Sequence, residues 1–187
     1  MALKSTIFKA ALQIADMDRA LYADHLLTLA RHPSETDERL MARVLGFALN
    51  VPYDDHGGAL VFARGLGDGD EPDLWQHSLA GELLHWVEVG QPTDDRRLAK
   101  ACSRARRVTL YCYSLAAPIW WAGIAPKVAR LRNLQVWQIP ADEIQALAKL
   151  VTRSMQLQVT VQEGQVWVGN TADSVEVHLK SLKAPQA

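Results

Sequence analysis

Apolar and polar residues alternate at both ends of the chain, which is the pattern of β-strands with one buried face. Near the N-terminus, positions 8, 10, 12 and 14 are apolar, whereas positions 9 and 13 are lysine and glutamine. Near the C-terminus, a glutamate and a glycine at positions 163 and 164 predict a turn between two further alternating segments. The alternation predicts strands over residues 6–14, 22–30, 155–161, 166–168 and 175–179.

Helical spacing of apolar residues first occurs over residues 35–49. Ser34 is the predicted N-cap of this helix, and acidic residues follow it in the first turn. Thr93 is the predicted cap of a basic helix that runs to about Arg107. Two further helices are predicted over residues 118–131 and 141–153.

Short apolar strands lie between these helices. They are predicted over residues 59–64, 73–75, 83–89, 108–113 and 134–139, with the second and third forming a hairpin. The order helix, three strands, helix, strand, helix, strand predicts an α/β core flanked by antiparallel strands from the N- and C-termini. No repeat, low-complexity tract or linker divides residues 1–187, so we expect a single domain.

The composition indicates a cytoplasmic protein that does not contact a membrane. Lys4 and Lys9 interrupt the N-terminal apolar residues, so a signal peptide is not expected. No window approaches eighteen uninterrupted apolar residues, the length needed for a transmembrane helix. The only cysteines, Cys102 and Cys112, have neither metal-site spacing nor the number needed for a disulfide framework.

Charge is strongly segregated, although the net charge is only −1. Residues 54–95 contain ten acids and one base, whereas residues 96–132 contain nine bases and no acid. The two segments therefore carry formal charges of about −9 and +9. Either they neutralise each other across the fold, or the acids hold a divalent cation beside bases that hold phosphate.

A carboxylate pair follows from the register of the predicted hairpin. A tight turn between Ala80 and Gly81 places Asp73 directly opposite Glu88. Opposed side chains in an antiparallel pair have Cβ atoms about 4.5–5.5 Å apart, and carboxylates that close repel unless a cation or a shared proton intervenes. Either the two acids are exposed on an edge ribbon, or they bind an ion such as Mg²⁺, which prefers one or two carboxylates.

Several sequence blocks, spread over nearly the whole chain, are similar to the YaeQ family. The blocks are Met1-Ala2-Leu3-Lys4, His32-Pro33-Ser34-Glu35-Thr36, Phe62-Ala63-Arg64-Gly65-Leu66, Glu71-Pro72-Asp73-Leu74-Trp75, Glu88-Val89-Gly90-Gln91-Pro92, Lys100-Ala101-Cys102, Ile119-Trp120-Trp121 and Leu157-Gln158-Val159-Thr160. YaeQ proteins are small bacterial proteins regarded as a divergent branch of the PD-(D/E)XK nuclease superfamily. The resemblance implies a restriction-endonuclease-like mixed sheet with flanking helices, and a nucleic-acid partner.

The resemblance also assigns roles to the carboxylate pair. Pro72-Asp73 matches the first half of the nuclease motif, and Glu88 matches the acid that follows. Together with the main-chain carbonyl of Val89, these acids would bind Mg²⁺ or Mn²⁺. The motif lysine, which normally orients the attacking water and stabilises the transition state, is replaced by Gly90.

The loss of the motif lysine leaves two interpretations. In the first, the basic helix supplies the cation, with Lys100 as a relocated lysine and Arg97 as a phosphate clamp, because residues one helical turn apart share a face. Arg96 and Arg104 are further candidate phosphate ligands on that helix. In the second, the protein is an inactive nuclease-like fold that binds nucleic acid or a protein partner.

Glu38 completes the candidate catalytic set. It resembles the acid that many members of the superfamily place beside the metal, and its helical neighbours Met41 and Leu45 are apolar. It either points inward and positions a metal-bound water, or lies on the helix surface in an ordinary ion pair. The leading hypothesis from the sequence is a Mg²⁺-dependent phosphodiesterase acting on DNA or RNA.

Overall fold

The computed structural model describes residues 5–63, 71–92 and 94–186. Within those residues the chain forms eleven strands and four helices. In chain order they are β1 (Thr6–Asp16), β2 (Leu21–Arg31), α1 (Asp37–Asn50), β3 (Leu60–Phe62), β4 (Leu74–His77), β5 (Leu83–Val89), α2 (Asp95–Arg104), β6 (Arg107–Cys112), α3 (Ala117–Val128), β7 (Leu134–Gln138), α4 (Ala141–Ala148), β8 (Ser154–Gln162), β9 (Gln165–Gly169), β10 (Ser174–Val177) and β11 (Lys180–Lys183). The predicted cap Thr93 lies outside the described residues, as do Arg64 and the first four residues.

The strands form two mixed sheets, so the chain is a mixed α/β protein. The terminal sheet has the strand order β10-β9-β8-β1-β2, and the central sheet has the order β11-β7-β6-β5-β4-β3. From α1 to β7 the element order is the predicted helix, three strands, helix, strand, helix, strand. The flanking strands are not all antiparallel as expected, because β1 pairs in parallel with β8.

Helix α1 is buried between the two sheets, with ten of its fourteen residues inaccessible to solvent. One apolar core surrounds it and joins residues of both sheets, from Leu12 of β1 to Val87 of β5. At Gly46 the helix approaches the central sheet so closely that an added Cβ would lie 3.7 Å from the Tyr111 ring. A helix in this position is apolar around most of its circumference, and the charged residues that it does bury need partners.

The outer face of the central sheet is covered by α2 and α3. A second apolar core lies there, built around Trp86 of β5, Leu98 of α2 and Val128 of α3. Strand β5 is therefore covered on both faces, which explains its nearly continuous apolar sequence. Within the described residues, no helix is long and apolar enough to cross a membrane.

Several predicted boundaries are wrong at the ends of helices. The N-cap of α1 is Thr36 rather than Ser34, because the Thr36 hydroxyl accepts the Arg39 N–H while Ser34 bonds to the ring of His32. Asp94 caps α2, which ends three residues earlier than predicted. Helix α4 ends at Ala148 rather than at residue 153, and residues 149–153 turn into β8.

Candidate carboxylate–arginine site

The hairpin of β4 and β5 has the predicted pairing offset. Leu74 pairs with Val87, Trp75 with Trp86 and Gln76 with His85, before a register shift toward the turn. The offset ends at Leu74, because the backbone N–H of Asp73, just before β4, donates to the Val87 carbonyl at 3.1 Å, so Asp73 is not paired directly with Glu88 as the tight hairpin predicts. Both acids are buried, at 3% and 7% exposure, so the alternative of two exposed acids on an edge ribbon is wrong.

Asp73 is held by α1 and by the end of β5. Its Oδ1 atom lies 2.5 Å from Arg39 Nη2, and its Oδ2 atom accepts the Val89 N–H at 2.7 Å. A second guanidinium, that of Arg43, approaches Oδ1 to 3.9 Å. Asp73 therefore has a charged partner and a backbone donor, which a buried carboxylate requires.

Arg39 bridges two of the groups that the nuclease resemblance assigns to a metal ion. Besides the Asp73 contact, its Nη1 atom donates to the Val89 carbonyl at 2.6 Å. Gly90 has a positive φ of 108°, and a Cβ at this position would lie 3.6 Å from Arg39 Nη1. Gly90, the position at which the resemblance would place a lysine, thus adopts a backbone conformation that disfavours other residues, next to Arg39.

Glu88 is held from the opposite face of the sheet. Arg97 of α2 donates from Nε to Oε1 at 2.7 Å and from Nη2 to Oε2 at 3.1 Å, a bidentate arrangement. The Trp86 indole N–H donates to Oε2 at 2.9 Å. Arg97 also reaches the Glu71 carbonyl at 2.9 Å, which ties α2 to the segment before β4.

A further buried ion pair supports Arg39 and Asp73. Glu35 accepts two contacts from Arg43 Nη1, at 3.0 and 3.1 Å, and its Oε1 atom lies 3.9 Å from Arg39 Nε. Arg39 and Arg43 are one turn apart on α1, and Glu35 lies just before the N-cap Thr36, so the three form a charged stripe at the start of the helix. None of the three was predicted as a site residue, although charges spaced four residues apart beside apolar positions are visible in the sequence.

The carboxyl group of Asp73 titrates unusually. Burial, together with the charge of Glu88, raises its pKa from 3.8 to about 6 against the lowering effect of the Arg39 and Arg43 guanidiniums and the Val89 N–H.

The other predicted site residues lie on two helices. Glu38 is half-buried on α1, one residue from the charged stripe. Arg96, Lys100 and Arg104 are exposed on α2, and the Arg104 guanidinium lies 5.6 Å from the centre of the Trp86 ring. The structure therefore brings Arg97 to Glu88 directly, while the roles of Glu38 and Lys100 stay predictions.

The arrangement does not fit a divalent ion unless Arg39 moves. Both carboxylates are engaged by guanidiniums, and the Val89 carbonyl accepts from Arg39 as well. Within the described residues, no group of three or more His, Cys, Asp or Glu side chains is placed to hold a metal. Chemically, the site is a set of carboxylates neutralised by arginines rather than an open cation site.

Comparison with known proteins identifies the family. The family model described as "YaeQ protein" matches residues 1–179. Relatives named "Uncharacterized protein YaeQ" from Salmonella typhi and Escherichia coli (strain K12) are each 41% identical over 186 residues, covering 99% of both chains. The crystal structure of YaeQ protein from Xanthomonas axonopodis pv. citri has a TM-score of 0.90 and 43% identity, and covers 97% of this chain and 99% of that chain. The structure from Pseudomonas syringae has a TM-score of 0.89 and 38% identity, and covers 98% of each chain. The chain therefore belongs to the YaeQ family.

Proposed function

We propose that this chain is a nuclease-like fold that binds nucleic acid without cutting it, with the Arg39 guanidinium in the position that a metal ion occupies in active relatives of that fold. The observation that carries the proposal is the bridge from Arg39 to Asp73 Oδ1 and to the Val89 carbonyl. A fixed guanidinium neutralises Asp73 but has no open coordination position and cannot lower the pKa of a bound water. The site then stabilises the fold instead of activating a nucleophile.

The distribution of basic residues supports nucleic acid as the partner. The segment with nine bases and no acid forms most of α2, β6 and α3, of which α2 and α3 cover the outer face of the central sheet. The exposed cationic side chains of the two helices and the segment after α3 are Arg96, Lys100, Arg104, Lys127, Arg130 and Arg132. Basic side chains gathered on one face provide the phosphate contacts that dominate nucleic-acid affinity.

Binding is tested by fluorescence anisotropy with labelled single-stranded and duplex DNA and RNA over a range of salt concentrations. The double variant Arg96→Glu/Lys100→Glu should bind more weakly and reduce the slope of log K against log salt by roughly 2 on duplex DNA. The matched control, Lys9→Glu/Lys149→Glu, changes the net charge equally at exposed positions on β1 and after α4. Equal losses of nucleic-acid affinity in the two double variants would show that the net charge of the protein, and not the surface of α2, determines binding.

The metal part of the proposal is tested by thermal unfolding with and without millimolar Mg²⁺ or Mn²⁺. The wild type should show no saturable stabilisation, because Arg39 already bonds to the groups that would bind the ion. The variant Arg39→Ala removes the guanidinium between Asp73 and the Val89 carbonyl, and should gain a Mn²⁺-dependent increase in melting temperature. Saturable stabilisation of the wild type that Asp73→Asn abolishes would refute the proposal.

The second candidate is the Mg²⁺-dependent phosphodiesterase. It is favoured by one observation, the approach of Asp73 and the Val89 carbonyl to the same guanidinium, that of Arg39, at the ends of β4 and β5. The test is to incubate the purified protein with single- and double-stranded substrates and Mg²⁺ or Mn²⁺. Cleavage by the wild type that exceeds cleavage by Asp73→Ala would establish this candidate in place of the first.

A further inference from the structure

A large cavity lies at the opposite end of α1 from the carboxylate–arginine site. Its volume is about 560 Å³, and its walls come from the C-terminal end of α1, the β1–β2 turn, β6 and β7. Arg39 and Asn50 are eleven residues apart on α1, which corresponds to about 16 Å along the helix axis. The volume lies in the range of pockets that bind small molecules, roughly 300–1,000 Å³.

Arg107 lines this cavity and is positioned by a buried histidine. Its Nη2 atom donates to His85 Nδ1 at 2.9 Å, and the other ring nitrogen of His85 lies 2.9 Å from Thr109 Oγ1. Burial and the adjacent arginine lower the pKa of His85 to about 3, so the ring is neutral, with Nδ1 as acceptor and Nε2–H as donor. A buried histidine and threonine thus orient a guanidinium without neutralising it, and no carboxylate pairs with Arg107 in the part of the chain that the structure describes.

The neighbouring polar groups also favour an anion. Arg19 lines the cavity and is fixed by Asp16 at 2.6 Å and by the Val51 carbonyl at 2.9 Å. The Tyr111 hydroxyl is buried there and accepts from Asn50 Nδ2 at 2.8 Å, so its own proton can be donated to a ligand. Burial raises the pKa of Tyr111 to about 12, and the charged groups that oppose this shift are both cations, Arg107 and Arg19.

The two acids at the cavity wall, Asp16 and Asp18, each have partners away from Arg107. Asp18 accepts the backbone N–H groups of Glu163 and Gly164, at 2.7 and 2.8 Å, and so caps the β8–β9 turn. Asp16 is paired with Arg19, as described above. Of the two arginines that line the cavity, Arg107 is the one without a carboxylate partner in the described residues.

We propose that the cavity binds a phosphate monoester with a planar body, such as a nucleoside monophosphate. The phosphate would contact Arg107 and the Tyr111 hydroxyl, since a guanidinium and a hydroxyl are strong phosphate donors. Trp137 and Tyr53 line the same cavity and offer aromatic surfaces for the planar body. This proposal does not depend on the function proposed for the carboxylate–arginine site.

The proposal is tested by calorimetric titration of the full chain with AMP, inorganic phosphate, adenosine and succinate. AMP should bind most tightly, phosphate more weakly, and adenosine without measurable affinity. Arg107→Met should weaken AMP binding about tenfold or more, and Arg107→Lys by less. The matched control, Arg106→Met, changes the adjacent residue, which is exposed and paired with Glu82, and should bind AMP like the wild type.

The variant Thr109→Val tests whether His85 positions Arg107. It removes the hydrogen-bond partner of His85 Nε2 without changing a residue that lines the cavity. This variant should weaken AMP binding several-fold and leave the affinity for nucleic acid unchanged. AMP binding should persist in Arg96→Glu/Lys100→Glu, which separates this site from the basic surface of α2. Adenosine binding as tightly as AMP, succinate binding more tightly than AMP, or an unchanged affinity in Arg107→Met would each overturn the proposal.

Discussion

Replacing Arg39 with methionine tests whether the arginine acts on the fold through Asp73. The contact between Arg39 Nη2 and Asp73 Oδ1 is 2.5 Å, so the centres of the two charges are roughly 4 Å apart. At an effective dielectric constant of about 20, that separation corresponds to about 4 kcal/mol of attraction. Methionine retains apolar packing but removes the charge and the donor to the Val89 carbonyl.

The expected loss of stability depends on pH, because Asp73 can take up a proton. Its folded-state pKa of about 6 lies above its ordinary value of 3.8, so the contribution of Asp73 to wild-type stability falls as the pH rises from about 4 to 6 and is then level. Without Arg39 the pKa rises further, and the decline extends beyond pH 8. The free-energy difference between wild type and Arg39→Met should therefore grow by roughly 3 kcal/mol between pH 6 and pH 8.

Urea unfolding at pH 5, 6.5 and 8 measures this difference. The loss should be smallest at pH 5, where Asp73 is protonated in both proteins, and the pH dependence should vanish when Asp73→Asn is present in both. Arg106→Met is the control, since its ion pair with Glu82 is similarly short, at 2.6 Å, but exposed, and is expected to contribute less than about 1 kcal/mol. If Arg39→Met lowers the free energy of unfolding equally at pH 5 and pH 8, the stabilisation by Arg39 does not act through the charge of Asp73.

Three further substitutions test the surroundings of the site and the core, each by urea unfolding. Gly90→Ala should cost about 1–2 kcal/mol, because alanine is strained at a φ of 108° beside Arg39; a neutral result would contradict this. Arg43→Met should cost about 3–5 kcal/mol, because it leaves Glu35 charged and buried, and Glu35→Gln in the same chain should recover part of that loss. Leu12→Ala should cost about 2–5 kcal/mol, since Leu12 is 1% exposed between the sheets, and a loss below 1 kcal/mol would show that the core collapses around the vacancy.

The hairpin shows what local patterns can predict. Turn residues and alternation gave the offset that pairs Leu74 with Val87, but Asp73 then contacts α1 whereas Glu88 contacts α2. Both signals act over fewer than twenty residues, so they do not depend on the rest of the fold. The same patterns predicted a partner for the two acids but not its identity, because Arg39 lies 34 residues from Asp73 in sequence.

Long-range pairings account for the features that the sequence did not indicate. Residues 180–183 alternate weakly and include two lysines, yet they form β11 at the edge of the central sheet, paired with β7. Strand β1 was predicted correctly as a strand. Its parallel pairing with β8 could not be predicted, because it depends on how the residues between the two strands fold. The N-cap at Thr36 was missed because Ser34 and Thr36 both suit a cap, and only the backbone path after β2 decides between them.

The parallel pairing of β1 with β8 also has a consequence for biosynthesis. Lys9 is level with Ser154, so the two strands meet across 145 residues of chain. At roughly 5–20 residues per second, a ribosome makes β1 about 7–30 s before it makes β8. During that interval the apolar side of the β1–β2 hairpin lacks the core residues that β8 and β9 supply in the folded protein. The slow step in folding of the nascent chain should therefore be the closure of the terminal sheet, the last event that sequesters the first segment synthesised.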